Sequence, residues 1–229
     1  MLPNKFGPKN HMHANFFRIL AAVLVAPFLG CAGTSVPVSA TLGETTQKAI
    51  VVLSVSQDSD IGSATHTIFY LDNDRLADRA VLSSVQTVLS LPSKSDFQDR
   101  RGHLYVLELP PGQHQIDTWQ VATNGNRVFP RTKLEPLKFE VRKGDVLYLG
   151  NLHADIELGR VSFLLPPMPT WAAALVADRS AEDILVAEAR VPSLKGRTRT
   201  AMLPMGSWGS DRRTSNKTDP LYFPVVPKK

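Results

Sequence analysis

Leu137-Lys138-Phe139-Glu140-Val141, then Lys143-Gly144-Asp145, then Val146-Leu147-Tyr148-Leu149-Gly150-Asn151-Leu152, is the stretch that decides the fold. In its first run Leu137, Phe139 and Val141 alternate with Lys138, Glu140 and Arg142. Side chains of a strand alternate with a period of two, so this run has one apolar face and one wet face. Lys143-Gly144-Asp145 turns the chain, and the apolar run behind it returns as a second strand.

Working outward, similar short runs recur. Val51, Leu53 and Val55 alternate with smaller neighbours, and residues 67–71 (TIFYL) end at Asp72-Asn73. Residues 85–91 (VQTVLSL) stop at Pro92, and residues 104–109 (LYVLEL) end at Pro110-Pro111-Gly112. In that turn Pro111 sets φ for the first central position, and Gly112 supplies the positive φ that a type II turn needs at the second. Between His114 and Val121, Ile116 and Trp119 cannot share a face in a regular strand, which predicts a bulge. A last run places Val161, Phe163 and Leu165 on one side. About eight short strands with turn signals between them predict an all-β protein, an antiparallel two-sheet sandwich. One short C-terminal helix completes it. Ser180 with Asp183 three places on reads as an N-cap, and Ala181, Ile184 and Leu185 form the apolar stripe expected to face the sandwich. Glu188 falls on the same face and is expected at the rim.

The N-terminal residues address location. Residues 19–29 (ILAAVLVAPFL) form an apolar run behind an acid-free stretch with Lys5, Lys9 and Arg18. Eleven residues fall short of the about 20 that a membrane-spanning helix needs. A basic start, a short apolar run and small residues after it read as an export signal. Cys31, the one cysteine of the chain, follows directly behind Gly30. Phe28-Leu29-Gly30-Cys31 resembles the lipobox of bacterial lipoproteins, with Phe28 and Leu29 departing from its usual residues. The resemblance implies cleavage before Cys31, a lipid on its sulfur, and, with Ala32 next, an outer-membrane destination. Soluble export with cleavage after Val38-Ser39-Ala40 is the alternative. The expected organisation is a signal peptide (1–30), a flexible tether (31–47), the sandwich with its helix (48–194) and a basic tail (195–229).

Charge follows that division. Residues 31–190 hold 15 Lys and Arg against 19 Asp and Glu, whereas residues 191–229 hold eight against two. The basic excess belongs to the leader and the tail, which argues against a nucleic-acid partner. The tail carries Pro204, Pro220, Pro224 and Pro227, and is expected to be mobile because it buries too little apolar surface to offset its ordering entropy.

The chain offers few signs of chemistry. Gly206-Ser207-Trp208-Gly209-Ser210 lacks the G-x-S-x-G spacing of a nucleophile elbow. His66, His103, His114 and His153 form no H-x-x-x-H pair, and Asp96, Asp99 and Asp155 no calcium loop, so neither a metal nor another cofactor is expected. Tyr105, Trp119 and Tyr148 would form a stacking platform for a sugar only if they shared an exposed face. A histidine beside a carboxylate and a serine in a cleft would instead point to a hydrolase.

Leu109-Pro110-Pro111-Gly112-Gln113-His114-Gln115-Ile116, the run from Leu137 to Val141, and Gly144-Asp145-Val146-Leu147-Tyr148-Leu149-Gly150 together resemble uncharacterised bacterial lipoproteins with a carboxypeptidase-regulatory-like or transthyretin-like β-sandwich. The resemblance spans residues 48–194 and implies a non-enzymatic domain of the cell envelope, with no catalytic residues to carry over. The expectation is therefore a lipid-anchored structural or protein-interaction module. Its partners would be the membrane through Cys31 and an envelope protein or anionic envelope polymer.

Overall fold

A computed structural model describes residues 47–72, 75, 79–88, 91–123, 126–160, 167–209 and 216–220. Cys31, the leader, nearly all of the tether, and the run Val161, Phe163 and Leu165 lie outside the described residues. The strands are β1 (Ala49–Asp58), β2 (His66–Leu71), β3 (Ala80–Ser83), β4 (Thr87–Val88), β5 (Leu91–Pro92), β6 (Arg100–Leu109), β7 (Gly112–Thr123), β8 (Asn126–Pro130), β9 (Leu137–Val141), β10 (Val146–Gly159) and β11 (Met168–Ala177). Helix α1 (Ser180–Arg190) follows, then three short strands, β12 (Arg199–Thr200), β13 (Gly206–Ser207) and β14 (Asn216–Pro220).

The strands form two sheets, as expected for an all-β sandwich. The first has the order β13-β11-β10-β1-β6, with β12 also on β10; the second has β14-β8-β7-β2-β3, with β9 also on β7. Val51, Leu53 and Val55 of β1 meet Phe69, Leu71, Ile116, Trp119 and Val121 of the second sheet in the interior. The alternate residues Ile50 and Val52 point the other way, where Leu104, Val106, Val146 and Tyr148 join Ala187, Val191 and Leu194 in a second cluster beneath α1. β1 is thus covered on both faces, which explains its nearly unbroken apolar run.

The sheets are not purely antiparallel. β1 pairs antiparallel with β6 but parallel with β10, and β12 is also parallel to β10. The reason lies in the two tight turns. Lys143-Gly144-Asp145 does not close a hairpin: β9 belongs to the second sheet and β10 to the first. The turn docks instead on the start of β1, where the Gly144 N–H donates to the Lys48 carbonyl (3.1 Å) and the Ile50 N–H to the Asp145 carbonyl (2.7 Å). Val146 then leaves alongside Ile50 in the same direction. Pro110-Pro111-Gly112 likewise carries the chain from β6 in one sheet to β7 in the other. The positive φ expected at Gly112 is present (140°).

Local patterning explains most of the rest. The bulge expected in β7 lies at Asp117, where the register against β2 slips between Tyr70–Thr118 and Leu71–Ile116. It turns both Ile116 and Trp119 inward. In β9, Lys138 and Glu140 are exposed while Leu137 and Val141 are buried. Phe139 faces the core from its rim, half-buried and stacked on the His114 ring at 5.7 Å. The run 85–91 is not one strand but contributes to β4 and β5, which pair only with each other. The loop behind that hairpin caps the edge of β6. Ser95 Oγ accepts the Gly102 N–H (3.0 Å), Asp96 Oδ2 accepts the Leu104 N–H (2.8 Å), and the Arg190 guanidinium donates to the Leu104 carbonyl (2.8 Å).

Residues 195–209 pack on the sandwich, which corrects the expectation of a mobile tail there; residues 210–215 and 221–229 lie outside the described residues. The N–H groups of Ala201 and Leu203 donate to the carbonyls of Tyr148 and Leu149 (2.8 and 3.0 Å). Leu203 is buried in the core, as is Trp208 (6 % exposed), which stacks on Phe69 at 6.3 Å and donates from Nε1 to the Glu135 carbonyl (2.9 Å). β13 extends the first sheet and β14 the second. A low apolar fraction concealed the fact that Leu203 and Trp208 fill gaps in the core, although Met205 between them stays exposed. Trp208→Ala is expected to destabilise by about 3–5 kcal/mol, as buried aromatic truncations do. Thermal unfolding should show this as a Tm lowered by on the order of 10 °C; a truncation after Leu194 should lower it further.

Candidate functional site

The outward face of β1 changes character along its length. After Ile50 and Val52 come Ser54 and Ser56, both fully buried. On β10 a second bulge brings polar partners to meet them. The register against β1 slips between Val52–Tyr148 and Leu53–Gly150, and Gly150 has φ of 120°. That φ favours glycine, and a Cβ there would also press on Met202 Cε at 2.9 Å, the movable end of a flexible side chain. The extra residue shifts parity: Tyr148 lies on the helix side before the bulge, and Asn151 and His153 return to that side after it.

Helix α1 closes over this polar strip with a carboxylate. Asp183 is fully buried and accepts hydrogen bonds from Ser54 Oγ (2.5 Å), Tyr148 Oη (2.8 Å) and the Arg100 guanidinium (2.7 Å). Arg100, also buried, reaches Asp99 (2.8 Å) and Glu182 (2.5 Å) as well. The Asn151 amide donates to Ser54 Oγ (2.7 Å) and Ser56 Oγ (2.9 Å); Ser56 Oγ lies 2.9 Å from His153 Nδ1, and His153 Nε2 lies 3.3 Å from Asp58. A continuous chain of polar contacts thus runs from the buried carboxylate to the surface. Burial pushes the Asp183 carboxyl above its ordinary range, while Ser54, Tyr148 and Arg100 pull it back. Burial and the neighbouring Asp183 charge raise the Tyr148 phenol. Burial lowers the His153 imidazole against the opposing pull of Asp58 and Asp155.

This arrangement corrects the expected helix stripe. Ala181 is exposed and Leu185 is 66 % exposed, while Asp183 and Ala187, one turn apart, face the sheet and Ile184 is half-buried. Ser180 is the first helical residue, and its N–H is taken by Asp178 Oδ1 (2.8 Å). Asp183 points into the sheet instead of back to the helix start. A hydrophobic-stripe argument assigns an acid to water; here a buried arginine and two hydroxyls provide for it.

The other singled-out residues are dispersed. His114 places Nδ1 2.5 Å from Asp72 and Nε2 2.8 Å from the Pro110 carbonyl, locking the β6–β7 turn. His66 is half-buried on β2, and burial lowers its imidazole. His103, on β6, lies between Ser93 Oγ (2.9 Å from Nε2) and Asp96 Oδ2 (3.3 Å from Nδ1). Asp96 also pairs with Arg190 at 2.8 Å. Burial alone would raise the Asp96 carboxyl, but hydrogen bonds from His103, Arg190 and the Leu104 amide outweigh it and hold it at about 2. Asp99 pairs with Arg100 and Arg179, and Asp155 is exposed on β10. Among the described residues no three His, Cys, Asp or Glu side chains gather as a metal site would require.

Trp119 and Tyr148 are buried, and the Tyr105 hydroxyl bonds to both backbone groups of Ser83, so the three share no exposed face. Gly206 and Ser207 form β13. A shallow depression of about 360 Å³ lies at the start of α1, lined by Asp178, Arg179, Ser180, Ala181 and Glu182. No helix among the described residues is long and apolar enough to cross a membrane. Compared with protein-family models, curated proteins and solved structures, the chain finds no match.

Sequence reasoning passed over Ser54 and Asn151 and placed Asp183 at the helix start instead of facing the sheet. A signal was present: two serines interrupt the otherwise apolar AIVVLSVSQD of β1.

Two stability measurements follow from these contacts. Asp183→Ala leaves the Arg100 charge without its buried carboxylate partner, with only the more exposed Asp99 and Glu182 remaining, and is expected to cost about 3–5 kcal/mol in denaturant unfolding. Asp183→Asn, which keeps an acceptor, should cost less. For Asp96 the folded pKa lies below the ordinary 3.8, so its stabilisation is present above about pH 4 and is lost as pH falls through about 2. Asp96→Asn is expected to cost about 2 kcal/mol at pH 7, with the deficit narrowing toward pH 2.

Proposed function

We propose that this chain is a lipid-anchored cell-envelope protein whose β-sandwich acts as a structural or protein-interaction module, without catalytic turnover. One observation carries the structural half of the reading. The buried side chains of Asp183, Arg100 and Tyr148 are turned on one another beneath α1, where they fasten the helix to the sheet. Groups spent in this way hold a fixed surface in place. The two-sheet fold supports the likeness to carboxypeptidase-regulatory-like and transthyretin-like envelope lipoproteins.

The anchoring half rests on sequence. Cys31 follows the short apolar run and Gly30, where a lipobox places its acylated sulfur. Attachment facing the periplasm or the exterior, on an outer membrane, follows from Ala32 by the same resemblance. Each buried methylene contributes about 0.8 kcal/mol, so two or more acyl chains hold a protein where one does not. The partner would be another envelope protein or an anionic polymer. Lys195 and Arg199, exposed at the end of the sandwich, supply basic charge from a fixed platform instead of a loose tail.

Metabolic labelling tests the anchor. Cells given a radiolabelled fatty acid should incorporate it into the wild-type chain, which should enter the detergent phase, and Cys31→Ser should abolish both. A mature protein that begins at Thr41 and stays in the aqueous phase would overturn the anchor and establish soluble export. In-cell crosslinking of the anchored protein then identifies its neighbour; capture of saccharide instead of protein would favour a carbohydrate-binding domain.

A further inference from the structure

Ser93, His103 and Asp96 come together from two elements that no sequence spacing links. Ser93 and Asp96 sit in the loop after β5, and His103 projects from β6. Ser93 Oγ lies 2.9 Å from His103 Nε2, and Asp96 Oδ2 lies 3.3 Å from His103 Nδ1. The order is serine, then Nε2, then Nδ1, then carboxylate. It is the order in which a histidine acts as general base toward a serine while a carboxylate fixes its tautomer. Asp96 is itself fixed, by the Leu104 amide (2.8 Å) and Arg190 (2.8 Å), so the imidazole is held from behind. His103 is 4 % exposed, whereas Ser93 is half-buried and keeps a face to solvent.

The amides around the serine set a limit. The Ser93 N–H is given to the Gln86 carbonyl, the Asp96 N–H to the Gly102 carbonyl, and the Phe97 N–H to Ser95 Oγ. Donors of this kind stabilise the oxyanion of acyl transfer, and losing one costs about 10²–10³ in rate. These three are committed to holding the loop. The geometry therefore offers a serine beside a histidine and carboxylate, with these three amides withheld from a tetrahedral intermediate.

We infer that Ser93 is a reactive serine, activated by His103 and Asp96, which captures an acyl group from activated esters stoichiometrically. In the step, Ser93 Oγ attacks the carbonyl carbon and its proton passes to His103 Nε2. The carbon–oxygen bond to the leaving group then breaks, and the imidazolium returns the proton to the departing alcohol. The products are one Ser93 ester and one free alcohol, with no change of oxidation state. Release of the acyl group by water needs the same oxyanion support, so the ester persists. This adds a covalent acceptor site to the module and does not depend on its anchor.

The test uses the purified full chain with an alkyl fluorophosphonate, which reports an activated serine, and with p-nitrophenyl acetate. Intact-mass spectrometry should show one adduct, mapped by peptide sequencing to Ser93. It should form about 100-fold or more faster than on the urea-denatured chain, the scale of general-base assistance. Ser93→Ala should lose the adduct with an unchanged melting curve. His103→Gln, checked for folding by circular dichroism, should lower the rate to that of the denatured chain. With p-nitrophenyl acetate one equivalent of nitrophenol should be released in a burst, with little turnover after it. A folded rate no greater than the denatured rate, or an adduct mapped elsewhere, would overturn the inference. The comparison with the denatured chain decides the matter even if His103→Gln does not fold.

Discussion

The architecture depends on one buried carboxylate. Asp183 lies under α1 with no exposure to water, and Ser54, Tyr148 and Arg100 converge on it from three strands of one sheet. Taking an ion pair out of water costs several kcal/mol per ion, and mutual attraction repays this only when geometry and hydrogen bonds are complete. That requirement constrains everything near it. β1 must present serines where its pattern calls for apolar residues, and β10 must carry a glycine bulge so that Asn151 falls on the helix side. Helix α1 must roll until an acid faces inward and Leu185 faces out. An apolar contact would tolerate sliding of the helix; a carboxylate held by three donors fixes its position and rotation.

The second constraint is topological. β1 is the first described strand, yet it pairs with β6 and with β10, which lie far along the chain. The interior cannot close until those strands are in place. Trp208, further still, fills the gap between β11 and the Leu134 loop, where a Cβ at Gly209 would collide with Leu134. The sandwich is completed by residues whose composition looks like a solvated appendage.

Legibility in the sequence followed the range of the interactions. Period-two alternation located β1 and β9, short runs of β-forming residues ending at turn signals located β2, β6 and β10, and broken parity at Ile116 and Trp119 revealed a bulge, because these depend on neighbours a few residues apart. The Lys143-Gly144-Asp145 turn was visible, but not that it crosses between sheets; that is decided by Lys48 and Ile50 nearly a hundred residues earlier. The stripe on α1 was misread because the partners of Asp183 come from other strands. The grouping of Ser93, Asp96 and His103 was invisible for a different reason: it joins an irregular loop to a strand. Composition misjudged residues 195–209 because burial is a matter of fit. Leu203 and Trp208 are few but well placed.

The capped edge of β6 bears on how copies of this chain behave side by side. An open strand edge is a template, since its unpaired peptide groups invite another backbone to extend the sheet. On β6, Ser95, Asp96 and Arg190 already occupy the outward N–H of Gly102 and both outward groups of Leu104. An incoming chain would have to displace charged side chains that are paired with each other as well as with the strand. Sheet-to-sheet polymerisation along that flank is thereby disfavoured, and molecules crowded together would remain separate particles there. The loop that positions Ser93 is thus also a guard against self-association.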